Sequence, residues 1–165
     1  MTSIDSKLQK VQTHFKALAS VAPSLNKASK ELTESVGILN VALQKLNIGL
    51  TVWVSFNYGP AEPPEYDCNQ VGYTKVNGTW GIALRHIWGD ESRGDETEVG
   101  PWLFNDAPRE LRIQCVDKIP DVIEALGKKA SDTVEKIQQK TDQVRELAGV
   151  IEKIATEPIS AKGSK

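Results

Sequence analysis

The sequence predicts an α+β fold. Long amphipathic helices at both termini pack as an antiparallel bundle or coiled coil, and a small antiparallel sheet of about three strands is inserted between them. Three observations predict this. Apolar residues recur in alternating steps of four and three over residues 4–46. The middle of the chain switches to period two around an Asn77-Gly78 dipeptide. A second apolar stripe at helical spacing then runs over residues 123–154. Helical and strand periods cannot share one element, so each switch marks a boundary. The chain reads as one domain over residues 1–157, with N-terminal helices in 1–47, sheet and loops in 48–106 and C-terminal helices in 107–157. Residues 158–165 read as a flexible tail.

The first stripe is Ile4, Leu8, Val11, Phe15, Leu18, Ala22, Leu25, Ser29, Leu32, Val36, Leu39, Leu43 and Leu46, with Ser29 its single polar member. A heptad-like period sustained this long is a coiled-coil seam or a long bundle helix. Pro23 interrupts it. Proline donates no hydrogen bond and crowds the preceding turn, so a break or sharp kink is expected at residues 21–24. The piece after it, residues 24–47, spans about 36 Å if helical.

The segment "NIGLTVWVSFN" puts Ile48, Leu50, Val52, Val54 and Phe56 on one side and Gly49, Thr51, Trp53 and Ser55 on the other, the pattern of a half-buried strand. "YGPAEPPEYD" reads as a loop. In "QVGYTKVNGTWGIALRHIW" two strand-like runs flank Asn77-Gly78. A type I′ turn needs positive φ at both central residues, and Asn-Gly supplies them with little strain, so a tight hairpin with arms of about seven residues follows. In that register the numbers of opposed residues sum to 155. One face then carries Val71, Tyr73, Trp80, Ile82, Leu84 and Trp88, with Lys75 and His86 as polar members, and this aromatic-rich face should meet the helices. The other carries Gln70, Gly72, Thr74, Val76, Thr79, Gly81, Ala83, Arg85 and Ile87, and it receives Trp53 from the first strand. "GDESRGDETEVGP" reads as a second polar loop.

The third zone is helical again. Asp106 is a candidate N-cap, with Pro108 and Glu110 in the first turn. Residues 111–119 also alternate, so a further strand competes there; the start signals favour helix. Pro120 restarts the helix and Pro158 ends it. The stripe between them includes Ile123, Leu126, Ala130, Val134, Ile137, Val144, Ile151 and Ile154, over an outer face of mixed charge.

Composition excludes several functions. Lysine plus arginine (20) nearly balances aspartate plus glutamate (22), against the basic excess of a nucleic-acid binder. No signal-peptide core and no run of about 18 apolar residues is present, which makes the cytoplasm the expected location. Cys68 and Cys115 lack metal-knuckle spacing and read as packed thiols. In the expected register Cys68 and His86 point to opposite faces, so they form no nucleophile–base pair. The acidic residues 90–98 lack calcium-loop spacing, and His14 and His86 sit near no ligand cluster. No phosphate loop or dinucleotide fingerprint occurs. The expectation is therefore a non-enzyme with no catalytic residue, metal or cofactor.

Long helices bracketing β-hairpins resemble prefoldin-type chaperone subunits in architecture, without matching motifs. The leading functional expectation is an interaction or scaffold protein that acts through coiled-coil-like helices. Its partner would be a protein or a second copy, rather than nucleic acid or membrane. The interface expected is the leftover stripe of Ile4, Leu8, Val11, Phe15 and Leu18, which either folds back into its own bundle or pairs with another chain. The alternative is a small-molecule or peptide binding module on the sheet face around Trp53, Gln70 and Arg85, because aromatic and arginine side chains concentrate binding energy. A membrane-active helical protein is the third reading.

Overall fold

A computed structural model describes residues 3–156. In chain order it has α1 (Ser3–Leu46), β1 (Val52–Tyr58), β2 (Glu65–Val76), β3 (Thr79–Asp90), β4 (Asp95–Leu103), α2 (Arg109–Gln114) and α3 (Ile119–Thr156). One 3₁₀ turn, Val116–Lys118, joins α2 to α3. The strands form one antiparallel sheet in the order β1-β2-β3-β4. The fold is α+β, with helices at both ends flanking the sheet, as expected. The expected tail lies outside the described residues.

The central hairpin is built as its turn dictates. Asn77 has φ 48° and Gly78 φ 89°, the positive values a two-residue turn of this kind needs. Gln70 pairs with Arg85 and Cys68 with Ile87, which is the register expected. Its arms run to twelve residues each rather than seven. Val71, Tyr73, Ile82 and Leu84 are fully buried on one face, against Val36 and Leu43 of α1 and Ile119, Val122 and Leu126 of α3. Tyr73 stacks on Trp80 with ring centroids 5.6 Å apart. Lys75 and Trp88 belong to the same face but are exposed.

Several expectations change. The sheet has four strands, since the polar loop expected at residues 89–101 contains the turn 91–94 and most of β4. β4 is an edge strand, and an acidic, exposed edge resists pairing with other chains, so its composition resembles a loop. β1 begins at Val52, and Ile48 and Leu50 precede it as partly buried residues packed on the core. Residues 111–119 are helical, as the start signals favoured: α2 ends at Gln114, the 3₁₀ turn spans Val116–Lys118 and Ile119 opens α3. Asp106 does not cap α2, whose N-cap position is Pro108.

Pro23 does not break α1, which continues through it. Proline 23 withholds one bond from the carbonyl of Ala19, but this turn is exposed and water can satisfy that oxygen. The loss is local, and helix propagates on both sides.

The helices also differ from an antiparallel bundle. The Asn40 Oδ1 accepts from the Ile82 N–H (2.7 Å), and the Gln44 Nε2 donates to the Trp80 carbonyl (2.6 Å). Advancing along α1 therefore means retreating along β3. At one end of β1, Asn57 Nδ2 donates to Gln114 Oε1 (2.9 Å); at the other, Lys129 Nζ donates to the Thr51 carbonyl (2.7 Å). So α3 runs antiparallel to β1. Strands β1 and β3 share a direction, because each is antiparallel to β2. Hence α1 and α3 run the same way across the sheet, both toward the Asn77-Gly78 turn. Their unpacked parts, called arms below, leave at opposite ends. The α1 arm precedes the sheet contact and the α3 arm follows it, so they cannot meet in one chain. Val11, Phe15 and Leu18 are exposed on one arm, and Val134, Ile137, Val144 and Ile151 on the other.

Asn40 and Gln44, one helical turn apart, do the work of a missing strand. The β3–β4 pairing ends at Ala83 and Leu103, which leaves the β3 edge at residues 80–82 open. Phe104 N–H donates to the Ile82 carbonyl (2.9 Å), and α1 supplies the other two partners. Replacing Asn40 with Leu keeps the bulk and orphans the Ile82 N–H. It should cost about 1–3 kcal/mol in urea denaturation, against under about 1 kcal/mol for Gln44→Ala at an exposed position. An Asn40→Leu cost no larger than that of Gln44→Ala would contradict this role.

Candidate functional site

The sheet face turned away from the helices gathers the three residues expected to bind. Trp53 pairs with Gly72 across β1 and β2, and Gln70 pairs with Arg85 across β2 and β3. The alternation of each strand then places Trp53, Ser55, Gln70 and Arg85 on this face. Arg85 Nε donates to Gln70 Oε1 (2.7 Å), and Gln70 Nε2 donates to Ser55 Oγ (3.0 Å). Cys68 Sγ lies 3.7 Å from Ser55 Oγ. The Arg85 Nη1 forms a short ion pair with Glu98 of β4. Its guanidinium carbon sits 4.4 Å from the centre of the Trp53 ring, in cation–π range. One connected chain of polar contacts thus crosses all four strands.

Trp53 is half-buried, and the helices lie on the opposite face. What covers it is local. The Arg85 guanidinium lies over the ring, and Gly72 lies beneath it. A Cβ at residue 72 would collide with the Val52 carbonyl and come within 2.6 Å of the ring carbon Cε3. The glycine therefore accommodates the chain's own tryptophan.

Beyond this cluster the same face opens into a groove of about 510 Å³. Ser55, Cys68, Gln70 and Ile87 line it together with Tyr58 and Tyr66, and Asp95 and Glu96 are among its acidic residues. Tyr66 donates to Glu96 Oε2 (2.9 Å). Burial, followed by the Glu96 hydrogen bond, raises the Tyr66 pKa, so the phenol stays protonated at neutral pH. With Glu98 neutralising Arg85, the groove is acidic in character and free of an unpaired cation. Expectation from sequence missed Glu96 and Glu98, because β4 read as loop, and Tyr66, because the first residues of β2 were read into the proline-rich loop. The usable signal was alternation within "DETEVG": Glu96 and Glu98 share one face, Thr97 and Val99 the other.

The other potentially reactive groups are separated. His86 Nδ1 contacts Asn69 Oδ1 (3.0 Å), its Nε2 lies 3.5 Å from Asp67 Oδ1, and its ring lies 5.2 Å from that of Trp88. All four belong to the helix-side face, outside the buried core cluster. Cys68 pairs with Ile87 and points to the other side. Burial pushes the Cys115 thiol up to about 12, so it persists as an unreactive thiol at neutral pH. The expected interface residues Ile4, Leu8, Val11, Phe15 and Leu18 lie in one exposed row on the α1 arm, far along the chain from the sheet face. No helix among the described residues is long and apolar enough to cross a membrane.

Comparison with protein-family models, curated proteins and solved structures gives no match.

Proposed function

We propose that the protein is a non-enzymatic scaffold that works by helix-mediated self-association. The observation that supports this is a pair of apolar arm stripes, left open by a chain whose sheet and core are complete without them. Phe15 is 69% exposed and Ile137 59%. Continuous apolar rows of this extent are uncommon on monomers and mark contact surfaces. The stripe over residues 4–25 is about 33 Å long and that over residues 134–154 about 32 Å. A second copy therefore offers a partner stripe of matching period and length, which is what knobs-into-holes pairing needs. The Glu double variant at Phe15 and Leu18 should lower the solution mass measured by sedimentation. Thermal stability should hold within about 1 kcal/mol, since neither side chain packs in the chain itself. Unchanged mass would reject the reading, and so would loss of folding.

A second reading, a peptide or small-molecule binding module, is favoured by the half-covered Trp53 beside an open groove. Its acidic, tyrosine-lined walls suit a cationic ligand. Trp53→Ala should abolish retention of a lysine-rich peptide, measured by calorimetry, while leaving the mass distribution unchanged. Equal retention by both proteins would exclude Trp53 as the anchor and reject this reading.

A further inference from the structure

The outer side of α1, turned away from the sheet, carries a second apolar ridge distinct from the arm stripe. Glu34, Ile38, Val41 and Lys45 follow one another in steps of four, three and four along one line of the helix, with Gly37 and Ala42 beside them. These six residues border one open groove. Ile38 is 72% exposed, the most exposed aliphatic side chain among the described residues. The sheet does not use this side: Val36, Asn40 and Leu43 point to the core instead.

We propose that this ridge is a two-fold interface on which α1 of a second copy lies antiparallel, with residue 38 opposite residue 41. The ridge is self-complementary in that register alone. Glu34 then faces Lys45 of the second copy and Ile38 faces Val41, with the small Gly37 and Ala42 on the two flanks of the contact. Two-fold symmetry makes each contact twice. A parallel alignment in register would oppose Glu34 to Glu34 and Lys45 to Lys45, which like-charge repulsion disfavours. Gly37 and Ala42 are small enough to let the helix axes approach to about 8 Å, the near end of the usual range. Neither charge has a strong use within the chain. Glu34 meets only Lys30, at 3.7 Å and with both side chains exposed, and Lys45 makes no ion pair among the described residues. Exposed pairs of that kind contribute little. The overlap spans residues 33–46, about 21 Å of helix, so the contact sits at the low end of specific interfaces and should dimerise in the micromolar range. It uses a different face and stretch from the arms, and it stands or fails without them.

The test is a charge exchange in the full-length chain carrying Phe15→Glu and Leu18→Glu, which silences the arm stripe and serves as the parent, read as a dimer dissociation constant by sedimentation equilibrium. Glu34→Lys alone, or Lys45→Glu alone, creates two like-charge contacts across the axis and should weaken dimerisation about ten-fold. The two substitutions together restore opposite charges and should return the constant to within about three-fold of the parent. All these positions are exposed, so melting curves serve as a folding control. Single variants that dimerise like the parent would overturn the proposal. So would a double variant no better than the singles, or a parent that stays monomeric at about 100 μM. Because Phe15→Glu and Leu18→Glu are present in every protein compared, association through the arms does not enter this outcome.

Discussion

The structure depends first on the register set by Asn77 and Gly78. Both residues hold positive φ, and the two arms they join run twelve residues each. Side chains alternate along a strand, so a slip of one residue would exchange the faces of the whole hairpin. Val71, Tyr73, Ile82 and Leu84 would then meet water, and Gln70 and Arg85 would be driven against the helices. The core, the polar network around Trp53 and the docking of both helices all presuppose this alignment. β1 adopts it by pairing Val52 with Tyr73 and Val54 with Val71.

The second constraint is how the sheet edges end. β4 is too short to cover residues 80–82 of β3, and α1 covers them with Asn40 and Gln44. α3 makes one contact of the same kind on the β1 side, from Lys129 to the Thr51 carbonyl. These contacts fix the direction of both helices relative to the sheet. Once both run toward the turn, their arms must part. The exposed stripes thus follow from the way the helices dock, and so does the outer ridge of α1, which no element among the described residues covers.

Much of this was legible in the sequence, for physical reasons that name particular residues. Asn-Gly between alternating runs identified the hairpin and its register. That register was enough to place Trp53, Gln70 and Arg85 on one face and to separate Cys68 from His86. β4 was not legible, because an acidic edge strand has the composition of a loop; its pairing is non-local, to Arg85, Ile87 and Trp88 of β3. Pro23 does not end the helix, since an exposed turn tolerates the loss of one hydrogen bond. Helix direction was not encoded in the stripes, which show that a face is apolar and not what meets it. The same continuity hid the ridge at Ile38 and Val41, because the seam through Val36, Leu39 and Leu43 already accounted for that stretch.

The arms have no partner among the described residues of their own chain, and the proposed function is that another copy supplies one. Hydrogen exchange followed by mass spectrometry, at low and high protein concentration, addresses it most directly. Amides in residues 32–46 and 119–126, packed on the sheet, should be protected at both concentrations. Amides in residues 4–25 and 134–154 should exchange quickly when dilute and become protected as concentration rises. Arms that are equally protected at every concentration, or equally unprotected, would contradict the account.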